Sequence, residues 1–196
     1  LPQYLQTRRG PTMEGPLSVI LSYFWAAIPT AYLVARNRRG IDIRQYGSGN
    51  VGASNLMVFM GIRSGLLVGF IDGFFKGLVP VVLVHLVGLE RGWQVAVALA
   101  SLSGNNWSPY IRFTGGRGIA VALGVTLGFL LWWQLLMIAL LAGIVGFLIF
   151  KQSALWLGIT WTIIPLFTYL VRTAYPLGWS IELVYLFSGM LAVSYT

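Results

Sequence analysis

Between Ile119 and Phe150 the chain carries no acidic, basic or imidazole side chain, an apolar run longer than the roughly 17–25 residues one helix needs to cross a bilayer but short of two full crossings. Inside lipid every backbone N–H and C=O must find its partner within the protein, so only helices or a closed barrel can carry such a stretch. The alternating ten-residue segments of a barrel are absent. Further apolar runs, interrupted by Gly and Pro, occupy Leu17 to Ala35, Gly65 to Leu89, Trp93 to about Ser103, Ala154 to Val171 and Ile181 to Tyr195. Hydrophobic residues make up 57% of the sequence and charged ones 9%, with a mean hydropathy of +0.78, beyond what the core and surface of a soluble domain accommodate. The expectation is an all-α integral membrane protein. Its 119–150 run divides near Trp132, Trp133 and Gln134 into a shorter and a longer helix, the tryptophans suiting an interfacial belt.

This reading gives about seven transmembrane helices, some short or broken. The first accommodates Pro29 as a kink. The third is too short to cross alone and is expected to break where the polar stretch Gly104-Asn105-Asn106-Trp107-Ser108-Pro109 begins, irregular backbone being tolerated at membrane depth only where it lines a cavity. Lys151-Gln152-Ser153 reads as a tight turn. Residues 1–16 hold three prolines with Arg8 and Arg9 and no apolar h-region, so they read as an irregular extracytoplasmic lead-in and not as a signal peptide, followed by one polytopic domain over 17–196. Segments 36–64, 104–118 and 151–153 fall on one side with Arg36, Arg38, Arg39, Arg44, Arg63, Arg112, Arg117 and Lys151. The positive-inside bias makes that side cytoplasmic, the N-terminus outside and the C-terminus cytoplasmic. The net charge of +8 fits cytoplasmic loops against anionic lipid first and an anionic substrate second. With no cysteine and the single His85, thiolate chemistry and a His-rich metal site are excluded.

Against this apolar background, Gly47-Ser48-Gly49-Asn50-Val51-Gly52-Ala53-Ser54-Asn55 is a dense run of small and amide-bearing residues between basic flanks. It exposes backbone instead of burying side chains, and successive N–H groups in such turns form a concave anion nest. A second glycine loop, Gly115-Gly116-Arg117-Gly118, stands on the same membrane face and opens a helix whose N-terminal N–H groups and dipole add to an anion site. Two such loops with arginines suit a phosphorylated ligand, or two. Asp72 and Lys76, four apart within a span, read equally as a ligand-side pair and as a mutually neutralising structural pair. Nothing here points to nucleic acid.

Tyr32-Leu33-Val34-Ala35, Gly40-Ile41-Asp42-Ile43-Arg44, the first glycine loop, Asp72 with Lys76-Gly77, and Phe113-Thr114-Gly115-Gly116-Arg117-Gly118 together resemble the bacterial acyl-phosphate:glycerol-3-phosphate acyltransferases, the PlsY family, from about residue 17 onward. The resemblance implies a seven-helix, multi-pass enzyme of the bacterial inner membrane that moves an acyl group from acyl phosphate to glycerol 3-phosphate. The product is lysophosphatidic acid, a phospholipid precursor, and no metal, CoA or other cofactor is implied. It implies Ser48 and Arg117 as catalytic residues, with Arg44, Gly47, Gly49, Asn50, Gly52, Asn55, Gly115, Gly116 and Gly118 on the phosphates, and Asp72 and Lys76 remain candidates for the substrate side, with the structural pair equally open. Arg117 stands where the family has lysine, Ala27 where it has serine, Val58 where it has arginine and Asn105 where it has histidine. The family's third motif, with histidine, asparagine and glutamate after the last helix, has no counterpart within these residues. A second reading of the same departures is a non-catalytic homologue serving as a structural subunit of a larger membrane complex. A third, an anion transporter, lacks an internal repeat to support it.

Overall fold

The computed structural model describes residues 13–141, 144, 153–174 and 181–195; the expected lead-in up to residue 12 and the turn at Lys151 and Gln152 lie outside them. Helix α1, Glu14–Ala26, starts three residues ahead of the expected Leu17, with Glu14 placed favourably at the positive end of its dipole. Pro29 does more than kink the first span: the helix stops at Ala26 and restarts as α2, Thr30–Arg39, whose last turn carries Arg36, Arg38 and Arg39 against the negative end of the dipole. The two pieces together reach from Glu14 to Arg39, long and apolar enough to cross a membrane.

The second such span runs from Ile62 to Leu86. It comprises α4 (Ile62–Ile71; α3 is described below), a π-helical segment over Asp72–Leu78, and α5 (Val79–Leu86). Pro80 supplies a physical reason for one contact of that wide turn. Lacking an N–H, Pro80 cannot donate back to Phe75, and the Phe75 carbonyl instead accepts the Trp25 indole N–H at 2.8 Å, fastening span one to span two.

Helix α6, Arg91–Asn106, corrects the expected break: it runs unbroken through Gly104-Asn105-Asn106, and the chain turns only at Trp107. Tyr23 Oη donates to the Trp107 carbonyl at 2.7 Å and Ser108 Oγ to the Ala27 carbonyl at 2.5 Å. The turn therefore sits beside the middle of the first span, about 18 Å along the helix rise from the arginine-rich end at Arg39. Helix α7, Ile119–Gly128, is separated from α8, Trp132–Ile138, by a turn at 129–131, just ahead of the expected division. Helices α9, Ser153–Ala174, and α10, Ile181–Tyr195, follow, the last as expected. No strand occurs among the described residues.

Two apolar cores result. The larger joins α5, α6, α7, α8, α9 and α10 through Val81, Leu102, Val125, Ile138, Ile164 and Phe187. The smaller, Ala31, Ala35, Ile43, Val51, Leu56, Val68 and Ile111, lies under the two polar loops. Isoleucine and valine placed inside glycine-rich segments are thus the anchors that seat those loops on α2 and α4.

Candidate functional site

The first loop is shorter as a loop than its composition implies. Residues 47–52 are irregular, whereas Ala53, Ser54 and Asn55 form the first turn of helix α3, Ala53–Met60. Asn55 organises what precedes it. Its buried amide donates to the carbonyls of Ile43 (3.3 Å), Tyr46 (2.9 Å) and Asn50 (3.1 Å), and its Oδ1 accepts the Ser48 N–H at 3.3 Å. Asn55→Ala takes one donor from each of three carbonyls, of which those of Ile43 and Tyr46 keep the N–H groups of Tyr46 and Gly49, and leaves the Asn50 carbonyl and the Ser48 N–H to find other partners. We expect it to lower loop stability by about 2–4 kcal/mol, summing net hydrogen-bond contributions, read as faster amide exchange over residues 43–52.

Three further amides nominated for an anion nest already have acceptors inside the protein. Gly49 N–H donates to Tyr46 O, Asn50 N–H to Ser48 Oγ at 3.4 Å, and Val51 N–H to Gly115 O at 3.2 Å. The last of these bonds joins the two glycine loops. Arg44 joins them again: its guanidinium pairs with Asp42 (Nη2 to Oδ2 2.6 Å, Nε to Oδ1 2.9 Å), donates through Nη1 to Ile111 O at 3.0 Å and Thr114 Oγ1 at 3.3 Å, and lies over the Tyr32 ring. Hydrogen bonding from Arg44 holds the Asp42 carboxyl below its usual range, and Asp42 in turn raises the Arg44 guanidinium. The stability this pair contributes is present above the ordinary carboxylate range and is lost only as pH falls through the lowered Asp42 value. The loops stay tied at neutral pH.

The open donors lie one step further along each loop. Helix α3 begins after Gly52 and α7 after Gly118, and neither has a side-chain cap. The first backbone bonds of the two helices run from Leu56 to Gly52 O and from Ala122 to Gly118 O. Ala53, Ser54 and Asn55 in one helix and Ile119, Ala120 and Val121 in the other therefore carry the orphan N–H groups of a helix start. Gly118 holds a left-handed φ of 69° with Asn106 Oδ1 packed against it, a position any side chain would strain. Ser48 and Arg117 are exposed beside these two helix starts, with no acceptor for the Arg117 guanidinium among the described residues.

An apolar cleft of about 460 Å³ runs between the first and second spans, lined from Trp25 to Arg38 on one side and by Ile71, Phe75 and Lys76 on the other. Asp72 and Lys76, both buried, form an ion pair of 2.7 Å. Thr30 Oγ1 donates to Asp72 Oδ1 at 2.9 Å, and Lys76 Nζ donates to Asn105 Oδ1 at 3.4 Å. Thr30 stands in no stretch the sequence singles out, and Asp42, Asn106 and Thr114 stand in such stretches without an assigned role. Only Asp42 carried a local signal, as an Asp capping the short 3-10 turn over Ile43–Gln45.

A family model described as "Glycerol-3-phosphate acyltransferase" matches residues 16–196. Glycerol-3-phosphate acyltransferase 5 of Dehalococcoides mccartyi is 51% identical over 111 residues, 57% of this chain and 47% of that protein. Glycerol-3-phosphate acyltransferase 1 of Deinococcus radiodurans is 40% identical over 114 residues, 58% of this chain and 57% of that protein. The chain thus spans about half the length of the curated relatives it matches. Among solved structures, PlsY, an integral membrane glycerol 3-phosphate acyltransferase crystallised in its glycerol 3-phosphate form, superposes with a TM-score of 0.79 at 26% identity, covering 93% of this chain and 86% of that one. Its lysophosphatidic acid form gives a TM-score of 0.72 at 24% identity, with the same coverage.

Proposed function

The chain belongs to the glycerol-3-phosphate acyltransferase family, and on that premise we propose that it transfers an acyl group from acyl phosphate to glycerol 3-phosphate, giving lysophosphatidic acid and inorganic phosphate. The observation that carries this reading is the pair of uncapped helix starts, α3 at Gly52 and α7 at Gly118, on loops joined through Val51 and Gly115. Two anion sites suit two phosphorylated substrates. Ser48, Asn50, Gly52 and the first turn of α3 take one phosphate, while Gly118, Arg117 and the first turn of α7 take the other. Gly47, Gly49, Gly115 and Gly116 let the backbones approach, and Arg44 and Asn55 hold the loops in register. The apolar cleft, with Arg38 in its wall, fits an acyl chain with a charged head.

In the reaction the glycerol hydroxyl oxygen bonds to the acyl carbon, the acyl–phosphate bond breaks, and the hydroxyl proton leaves with phosphate. The donor is already activated, so positioning and charge neutralisation suffice without metal or CoA. The same reading takes seven crossings: Glu14–Arg39, Ile62–Leu86, α6, α7, the apolar run that holds α8, and then α9 and α10. The arginine-rich end of α2 and the Tyr195 end then face the cytoplasm of a bacterial inner membrane, and the Glu14 end faces outside. Exposed Leu17, Leu21, Leu66, Phe70, Leu166 and Leu170 suit contact with lipid.

The test is conversion of acyl phosphate and radiolabelled glycerol 3-phosphate by the protein reconstituted in lipid vesicles. Arg117→Ala is expected to lose about 100-fold in kcat/KM, the magnitude of a removed oxyanion donor. Absence of product from the folded wild type overturns the proposal. It would instead favour the non-catalytic subunit, for which the fully apolar, exposed Val58 in place of the family's arginine is the motivating observation. Co-purification with other membrane proteins at fixed stoichiometry would then be the expected result.

A further inference from the structure

Asn105 and Asn106 make the seat of the second glycine loop. The Gly116 N–H donates to the Asn105 carbonyl at 3.0 Å, Gly116 packs on the Asn105 side-chain amide, and Gly118 packs on that of Asn106. The two side chains are linked in one direction. Asn105 Nδ2 donates to Asn106 Oδ1 at 3.3 Å, and Asn106 Nδ2 donates to the Val193 carbonyl in α10 at 2.9 Å. An amide can present either its oxygen or its NH2 to a neighbour, so such a chain has two senses unless its ends fix it. The Val193 carbonyl holds the Asn106 end, and Lys76 holds the Asn105 end. Its ammonium has only donors, so the group it faces must be an oxygen, and Asn105 Oδ1 takes that place at 3.4 Å.

Lys76 is in turn held by Asp72, and Asp72 by Thr30 of α2. A buried ion pair gives little net stability against an apolar pair of similar volume, so its retention calls for another reason. Neither side chain is free to reach a phosphate among the residues of the two loops: Asp72 is 5% exposed and Lys76 4%.

We propose that Asp72 and Lys76 are positioning residues that hold the Asn105 end of this amide chain, the end the Val193 carbonyl does not reach, and so fix the second glycine loop, and with it the start of α7, in its working place. The proposal rests on the acyl-transfer reading for its kinetic consequence. Its structural consequence stands without that reading.

The double variant Asp72→Leu with Lys76→Met removes both charges at similar volume and avoids the unpaired buried charge that either single change leaves. Its unfolding midpoint in detergent is expected to stay close to wild type. Its kcat falls about 100-fold, as a misplaced catalytic loop does, with KM for both substrates within about threefold. Asn105→Asp strengthens the charge contact to Lys76 but removes the donor to Asn106, and falls equally. Lys76→Arg, which keeps a donor-only cation, recovers part of the rate. Amide exchange at Gly116 is measured alongside and is expected to quicken at least tenfold in the double variant and in Asn105→Asp. A double variant with wild-type kcat and wild-type exchange at Gly116 overturns the proposal, as does one whose KM rises tenfold at unchanged kcat, which would mark a binding pair. Should the folded wild type make no product, acyl transfer is what fails, and exchange at Gly116 still decides the positioning role.

Discussion

Gly115→Ala is expected to reduce acyl transfer by at least about 100-fold while leaving the bundle folded, the scale set by small displacements of a reacting group. A Cβ built on Gly115 overlaps the carbonyl oxygens of Asn105 and Asn106, both backbone atoms at the end of α6. Neither can turn aside as a side chain would. The loop has to lift, which stretches the Gly116 N–H bond to the Asn105 carbonyl, now 3.0 Å, and shifts Gly115 O in its bond from Val51 N–H, now 3.2 Å. Losing the second of these leaves a donor and an acceptor unpaired beneath the site, a cost of about 1–3 kcal/mol. It also uncouples the start of α3 from the start of α7, so two phosphates bound to the two helices no longer stand in register. The initial rate in vesicles, with kcat and KM resolved for each substrate, is the measurement. Gly92→Ala is the control, since a Cβ there meets nothing within 4 Å and Gly92 lies within helix α6. It should match wild type. Activity of Gly115→Ala within threefold of wild type would show that the junction of the loops is not what the reaction depends on.

That junction was visible in the sequence only in part. Two Gly-rich segments flanked by arginine announced themselves by contrast with an apolar chain, because exposed backbone in such a protein has few other uses. Which amides stay open is a different matter. Val51, a valine in a run of small residues, gives its N–H to Gly115 across 64 positions of sequence, and no local pattern encodes that pairing. Asn55 read as a ligand side chain because amides bind ligands, yet its four bonds all go to its own loop.

The spans show the same division between local and distant causes. The start of α10 at Ile181 followed from hydropathy alone, whereas the continuation of α6 through Gly104, Asn105 and Asn106 did not. Polar residues in a helix end look like a break until their partners are known. Here Lys76, Val193 and the glycine loop supply them, and Gly104 is small because the Tyr23 carbonyl of α1 lies against it. The π-helical turn at Asp72–Leu78 was likewise hidden. Asp72 and Lys76 were legible as a pair at i and i+4, but the wide turn depends on Pro80, on the Trp25 indole and on the close approach of α7.

That close approach carries the largest expected effect on stability. Gly124 of α7 meets Gly73 and Leu78 of the second span backbone to backbone, and a Cβ on Gly124 overlaps the Gly73 carbonyl. Helices in lipid gain nothing from burying apolar surface against each other instead of against acyl chains. Close van der Waals packing between small residues is what holds them, and a methyl at the point of closest approach removes it along the whole contact. Gly124→Ala is expected to destabilise the protein by about 3 kcal/mol, the upper end for overpacking a tight interior, lowering the unfolding midpoint by roughly 6–12 °C for a chain of this length. No compensating truncation exists, because Gly73 has no side chain to give up. Gly69→Ala, on the same span but with its Cβ only in ordinary contact with Ala53, should change the midpoint by little. Thermal unfolding of both variants in one detergent separates a local effect at the α7 contact from a general intolerance of the second span to side chains. An unfolding midpoint for Gly124→Ala equal to that of Gly69→Ala would mean that α7 can slide, and a sliding α7 would carry Gly118 and the second anion site with it.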